Sequence, residues 1–316
     1  MVSNYIGFKL KMYLGFLVFG VIFITILFTI EHILYRYVSY AFLIFNIVIL
    51  LLFTIAQWLA APYIISAASR LREITDDKSY ADIVSIAKRV AKMNNIEDLR
   101  VYIADVDFPN AFAFGNILSG NRVAITKPLL YMLKDNEIEA VLGHEVGHLR
   151  NRDVELMLAL SLIPSFVYYI ALSLLFSDYR YNYQLVLGFA LIVVSFLLNI
   201  PLLYVNRLRE SYEDLNSVKT VKDPDGLEMA LAKIELYVNK GRSSSDRDYA
   251  IRSLTNMLMF NGDKESDESE IRDPRDLIEY WKQYKVRFHE DLFDDHPHPA
   301  RRIQLIENAK RDLPKR

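Results

Sequence analysis

The chain has 316 residues with 37 lysines and arginines and 39 aspartates and glutamates, so its formal net charge at pH 7 is -2. A charge this close to zero gives no indication of nucleic-acid binding. The absence of cysteine excludes disulfide bonds and fits a reducing compartment. Apolar residues are concentrated in four long uncharged runs, and this distribution predicts an integral membrane protein.

Two of these runs lie near the N-terminus. Residues 12–30 carry no charge and as a helix would be about 28 Å long, close to the thickness of a bilayer core. The second run lies within residues 37–69, where Trp58 and Tyr63 could anchor at the headgroups and Pro62 could mark the exit. A cleavable signal peptide is the alternative for the first run. Its core is longer than a signal core, and charged residues follow it, so a span is favoured.

A small sheet is predicted after the second run. Residues 82–93 have the apolar spacing of a helix, and two β-rich runs follow at 100–104 and 122–126. The segment between them, residues 108–115, alternates apolar positions after a proline and ends at glycine. It could offer a strand edge to an extended peptide.

The segment His144-Glu145-Val146-Gly147-His148 carries the most chemical information. Two histidines four residues apart on a helix point the same way and can bind one metal ion, and Glu145 is then placed to accept a proton from an attacking water. A chance match in a surface helix is the alternative, expected in about one such chain in a hundred. Asn136 and Glu139 resemble a capping box that starts a helix here, and this context favours the metal site.

The third and fourth apolar runs, residues 156–177 and within 181–206, are each long enough to cross a bilayer. A buried hairpin of a soluble domain is the alternative, and their combined length favours spans. Basic residues flank the spans mostly on one side, which predicts a multi-pass cell-membrane protein with both termini and both hydrophilic regions in the cytoplasm. That side has Lys9, Lys11, Arg70, Arg72, Arg150, Arg152, Arg207 and Arg209, and the other has Arg36 and Arg180.

A catalytic site of this kind needs a third protein ligand. The extended histidine motif does not supply it, because positions 151 and 154 are asparagine and valine. A carboxylate from a later helix is favoured, and Glu210 is the best candidate since Asp214 lies one helical turn further on the same face. Asp214 could then accept the other ring N–H of His144. Asp214 could instead be a helix-surface charge.

These residues resemble those of HtpX-type membrane zinc metalloproteases, which are distantly related to the CaaX prenyl proteases. The resemblance covers nearly the whole chain. It includes the His144 to His148 motif followed by Asn151 and Asp153, and the segment from Arg209 to Asp214 after two spans. It implies one zinc ion per chain, held by His144, His148 and Glu210, with Asp214 as the supporting carboxylate.

Two further elements belong to this resemblance. Asn110, Ala111 and Phe112 resemble a family element along the substrate cleft, and the resemblance implies that they align the peptide backbone; a buried loop is the alternative. His296 resembles the histidine of a C-terminal H-P element followed by R-I, and would stabilise the oxyanion, although His298 repeats the pattern.

One position departs from the family pattern. Glu213 stands where the family usually has alanine, and its side chain could alter the local charge or face solvent.

The expected fold is a predominantly α integral membrane protein with four transmembrane helices and a cytoplasmic zincin-like α+β catalytic domain that carries a small β-sheet. The first membrane hairpin is expected at residues 1–69 and the second at 156–206. Residues 70–155 and 207–316 are expected to form the two parts of the catalytic domain.

The expected function is zinc-dependent hydrolysis of misfolded or damaged membrane proteins at the cytoplasmic face, with Glu145 and His296 as catalytic residues. The expected partners are polypeptide substrates and the lipid bilayer, with no nucleic acid and, since no phosphate-binding glycine loop occurs, no nucleotide. One alternative is a prenyl-peptide protease, which needs an enclosed chamber that four spans are too few to build. The other is a catalytically silent membrane scaffold.

Overall fold

The computed structural model describes residues 40–175, 183–242, 271–287, 290–291 and 294–312. The span predicted at residues 12–30 lies outside these ranges. Within them, three helical segments are long and apolar enough to cross a membrane. They are Ile47–Ala68, Asp153–Leu175 and Gln184–Val221.

Helices make up most of the described chain. In order they are α1 Tyr40–Ala68, α2 Ala81–Met93, α3 Lys127–Met132, α4 Asp135–Asn151, α5 Asp153–Leu175, α6 Tyr183–Leu197, α7 Asn199–Val221, α8 Pro224–Arg242, α9 Pro274–Gln283 and α10 Pro299–Arg311. The strands are β1 Leu71–Glu73, β2 Leu99–Ala104, β3 Ala111–Asn116 and β4 Gly120–Thr126. A single 3-10 turn, Lys78–Tyr80, precedes α2.

The four strands form one mixed sheet in the order β1-β2-β4-β3. Strands β2 and β4 are parallel, with Val101 opposite Val123, whereas β1 and β3 run antiparallel to their neighbours. The two predicted β-rich runs lie within β2 and β4. The alternating apolar segment forms β3 at the edge of the sheet, and β1 was not predicted.

Apolar side chains cover both faces of the sheet. Val101 and Ile125 on one face belong to the main core, together with residues of α2, α4 and α8 such as Val90, Leu142 and Leu231. The other face packs against the C-terminal turns of α1, in a smaller cluster. That cluster contains Tyr102, Phe114 and Ala124 with Ile65, Leu71 and Phe112 around them. The sheet is thus held between helix α4 and the end of a membrane helix.

The membrane helices pack on one another through a separate apolar cluster that contains Leu50 of α1, Val167 and Ile170 of α5, Leu191 of α6 and Leu202 of α7. The opposite side of α1 leaves large apolar side chains exposed in the described structure, which suits contact with lipid. We call these residues the outer apolar face of α1. They are Ile44, Phe45, Ile47, Val48, Ile49, Leu51, Leu52, Phe53 and Ile55.

Helix α4 starts one residue before the predicted capping box. It begins at Asp135, and the N–H of Lys134 donates to the carboxylate of Glu137 at 2.9 Å. Asn136 and Glu139 lie inside the helix and bind side chains of other elements. The capping-box prediction was wrong because Glu137, three residues after Lys134, is the acid that reaches the free N–H.

Candidate metal centre

Two helices, α4 and α7, carry the predicted ligands and approach each other closely at two glycines of α4. A Cβ atom on Gly143 would lie 2.7 Å from a methyl group of Val221, and one on Gly147 would overlap the carboxylate of Glu213 and lie 2.7 Å from the Asn216 side chain. Because a side chain at either position would push the helices apart, the glycines permit the approach. The predicted ligands of the two helices thereby meet.

The three predicted ligands converge on one point. His144 Nε2 lies 3.3 Å from His148 Nε2 and 3.3 Å from Glu210 Oε2. His148 Nε2 lies 3.5 Å from Glu210 Oε1. Ligands bound at 2.0–2.1 Å in tetrahedral geometry are separated from one another by about 3.3–3.4 Å. The arrangement therefore fits a tetrahedral metal ion with three protein ligands.

Each histidine is oriented by a carboxylate on its other ring nitrogen. His144 Nδ1 lies 3.0 Å from Asp214 Oδ1, as the sequence predicted. His148 Nδ1 lies 2.6 Å from Asp153 Oδ2, which the sequence analysis did not predict. Asp153 reaches this position because Arg152 adopts a left-handed backbone conformation (φ 52°, ψ 45°). This conformation ends α4 and brings the next residue, Asp153, back towards His148. Both Nε2 lone pairs are left to face the metal position.

Two arginines compensate the charges of these carboxylates. Arg302 of α10 binds both oxygens of Asp214, at 2.7 and 2.8 Å. Arg209 lies 3.0 Å from Asp153. A buried carboxylate is costly unless it is paired and hydrogen-bonded. Neither arginine was assigned this contact from the sequence, since both are remote in sequence from the acids they bind.

The carboxylates also control the protonation of the histidines. Burial lowers the pKa of His144, but the hydrogen bonds that its ring donates to Asp214 and Glu210 outweigh burial and raise the value to about 10. Burial likewise opposes protonation of His148, and the charges of Glu210 and Asp153 raise its pKa overall. A metal ion must displace these protons when it binds.

Glu145 links the metal position to the sheet edge. The side chain is buried, and its Oε2 accepts the backbone N–H of Ala113 in β3 at 3.0 Å. Burial raises the pKa of this carboxyl, while His144 and His148 pull in the opposite direction. A raised pKa suits a group that takes up and returns a proton near neutral pH.

A cavity of about 510 Å³ opens onto this centre. Ala111 and Phe112 line it, whereas Asn110 is bound through its backbone to Thr126 of β4. Side chains of the membrane helices also reach the cavity. These are Met157 of α5 and Asn199, Leu202 and Leu203 of α7. The cavity therefore runs between the edge of the sheet and the membrane helices.

Of the two neighbouring H-P pairs, the first faces the centre. His296 lines the cavity, and its Nδ1 lies 3.0 Å from Glu210 Oε2. His298 stacks on Tyr284 at 5.3 Å and accepts the N–H of Ala300 at the start of α10. His298 thus has a helix-capping role, and His296 is the one of the two that faces the cavity.

Glu213 does not face solvent. Its side chain lies beside Gly147, the residue is 1% exposed, and it accepts a hydrogen bond from Asn151. The acid that departs from the family pattern is therefore part of the contact between α4 and α7.

Comparisons with protein families and with known sequences both find peptidases. The profile of Peptidase family M48 matches residues 77–310. A Protease HtpX homolog of Thermoplasma acidophilum is 40% identical over 314 residues, 96% of this chain and 98% of that relative. One of Picrophilus torridus is 42% identical over 270 residues, 84% of this chain and 85% of the relative.

A solved structure has a similar fold. The crystal structure of S. mikatae Ste24p has a TM-score of 0.56 and 17% sequence identity, and the match covers 94% of this chain and 67% of that chain. At this level of identity the likeness concerns the fold alone.

The close approach of α4 and α7 generates the first prediction. Replacing Gly147 with alanine is expected to destabilise the protein by about 1–3 kcal/mol, because the added methyl group overpacks the contact, and to lower its metal content. Thermal unfolding in detergent and elemental analysis measure both. A Gly147→Ala protein with natural stability and full metal content would contradict the packing argument.

The raised histidine pKa values generate the second prediction. Because a metal ion must displace protons, the apparent affinity for Zn²⁺ is expected to fall by about tenfold per pH unit on acidification for each proton displaced. Titration of metal-free protein between pH 6 and pH 8, with proton release followed in weak buffer, measures this. An affinity that does not change with pH would contradict the protonated state of His144.

Proposed function

This chain belongs to peptidase family M48, and from that premise we propose that it is a zinc endopeptidase acting on misfolded or damaged membrane proteins at the cytoplasmic face. It is a membrane-embedded metalloprotease. We propose the identity of the metal as zinc, the roles of the residues, the substrates, and the orientation of the chain in the membrane.

The tetrahedral spacing of the three ligand atoms is the observation that carries the proposal. His144, His148 and Glu210 each offer one atom, and the three lie within 4.8 Å of one another. Two histidines and one glutamate form a common ligand set of catalytic zinc, which leaves a fourth position for water or substrate. A zinc ion bound there would lower the pKa of a water molecule to about 7 and polarise the scissile carbonyl.

Glu145 is proposed to move the proton. Its carboxylate accepts a proton from the attacking water as the new C–O bond forms, and it then delivers that proton to the nitrogen of the leaving amine as the peptide C–N bond breaks. The hydrogen bond from Ala113 holds the carboxylate at the edge of β3, beside the residues that line the cavity. His296 is proposed to stabilise the negative charge that develops on the carbonyl oxygen.

The edge strand β3 is proposed to align the substrate. An extended peptide can add to an exposed sheet edge as a further strand, with backbone hydrogen bonds that do not depend on its sequence. Ala111 and Phe112 line the cavity on this side, and Asn110 fixes the start of the strand to β4. Recognition through the backbone suits a protease with many unfolded clients.

The position of the cavity supports membrane proteins as substrates. Met157, Leu202 and Leu203 of the membrane helices α5 and α7 form part of its lining. A peptide that leaves the bilayer near these helices would reach the centre directly. The basic residues around the predicted spans support the cytoplasmic side, and protein quality control is the task proposed for this site.

The central test is replacement of Glu145 with glutamine. An amide cannot take the proton, so cleavage of unprenylated casein by zinc-loaded protein in detergent is expected to fall by about 100-fold or more, while zinc content and thermal stability stay near natural values. Glu139→Gln, which changes an acid of the same helix outside the cavity, is the matched control and should cleave normally.

Three outcomes would contradict the proposal. Casein cleavage by Glu145→Gln at the natural rate would remove the role of Glu145. Activity that requires a prenylated peptide would favour the prenyl-peptide protease, and absence of any zinc-dependent cleavage by the natural chain would favour the scaffold.

The third ligand is tested separately by replacing Glu210 with alanine. Two histidines alone are expected to hold zinc weakly, so the purified variant should lose most of its zinc after dialysis, whereas Glu279→Ala, at an exposed acid of α9, should keep it. Elemental analysis measures the zinc content. If Glu210→Ala retains zinc as the natural chain does, another residue is the third ligand.

A further inference from the structure

The turn between β3 and β4 exposes two large aliphatic side chains. We call residues 116–120 the hairpin tip. Ile117 is 66% exposed and Leu118 is 72% exposed in the described structure. They are consecutive in the turn, and contiguous exposed apolar surface is a feature of sites that contact proteins or membranes.

The hairpin tip is held in one conformation by its own hydrogen bonds. The Asn116 side-chain oxygen accepts the backbone N–H groups of Leu118 at 3.1 Å and Ser119 at 2.8 Å. The guanidinium of Arg122 donates to the carbonyl of Ser119 at 3.0 and 3.2 Å. The side chains of Ile117 and Leu118 are therefore carried by a turn that hydrogen bonds stabilise.

The hairpin tip is also attached to a membrane helix. The Asn116 side-chain nitrogen donates to the carbonyl of Trp58 at 2.8 Å, and Trp58 lies within the candidate span Ile47–Ala68. The Arg122 guanidinium lies 5.8 Å from the centre of the Tyr63 ring on the same helix. Trp58 follows the outer apolar face of α1, and tryptophan and tyrosine are enriched where a span leaves the bilayer.

A second membrane helix starts beside the hairpin tip. Ile117 and Val154 line one groove, and Val154 belongs to the first turn of α5, where the candidate span Asp153–Leu175 begins. The hairpin tip thus adjoins one candidate span at Trp58 and another at its first turn. Ile117 and Leu118 are therefore close to two candidate spans.

We propose that the hairpin tip inserts Ile117 and Leu118 into the interfacial region of the lipid bilayer. The insertion itself does not depend on the metal centre, and only its consequence for the substrate rests on the proposed function. Because the tip joins β3 to β4, its insertion fixes the height of the β3 edge above the membrane. Substrate-facing residues of β3 would then be held where a segment leaving the bilayer first becomes accessible.

The chain offers a direct test because it contains no cysteine. Single variants Ile117→Cys and Leu118→Cys are labelled with an environment-sensitive fluorophore and reconstituted as full-length protein into phosphatidylcholine vesicles, with or without lipids that carry a nitroxide near the headgroup. Tyr131→Cys is the matched control. Tyr131 is 88% exposed on α3, beyond the far end of β4, which separates it from the tip by about 20 Å.

Insertion predicts a blue-shifted emission at positions 117 and 118 that loses intensity with the nitroxide lipids, while position 131 shows neither change. Emission at 117 and 118 that matches position 131 would place the tip in water and overturn the proposal. A blue shift without nitroxide quenching would also overturn it, because protein and not lipid would then cover the tip. Unfolding midpoints near that of the natural chain verify that each labelled variant is folded.

Discussion

The close contact between helices α4 and α7 is the constraint on which the rest of the site depends. Helix α4 presents Gly143 and Gly147 to α7, and a methyl group at either position would meet atoms of α7 at less than the usual contact distance. The Ser217 hydroxyl donates across the same contact to the carbonyl of Ala140 at 2.6 Å. Two histidines on one helix can then share a metal ion with a carboxylate on the other.

The second constraint is electrostatic. Glu210, Asp214 and Asp153 are buried beside His144 and His148, and isolated charges in such a place would be strongly destabilising. Arg302 and Arg209 pair with the two aspartates, so that the supporting carboxylates remain ionised and hold the imidazole rings. Helices α10 and α7, which supply these arginines, therefore help to hold the side chains of the candidate metal centre.

The third constraint is the attachment of the domain to the membrane. The end of α1 packs on one face of the sheet and α4 on the other, so the edge strand β3 is fixed between a membrane helix and the metal centre. The same strand binds Glu145 through Ala113 and leads into the hairpin tip. A displacement of the sheet relative to the bilayer would move the β3 edge and the hydrogen bond to Glu145 together.

The sequence by itself determined the features that depend on local periodicity. Several features follow from patterns that repeat every few residues, and the structure contains each of them. They are the helical spacings of His144 with His148 and of Glu210 with Asp214, three of the apolar runs, and the strands β2 and β4. The tertiary structure decided the contacts between remote residues. The packing of α4, α7 and α10 brings Asp153 to His148 and Arg302 to Asp214. It also buries Glu213 and turns His296, and not His298, towards Glu210. Periodicity gives the face on which a residue lies, but only packing decides what that face meets.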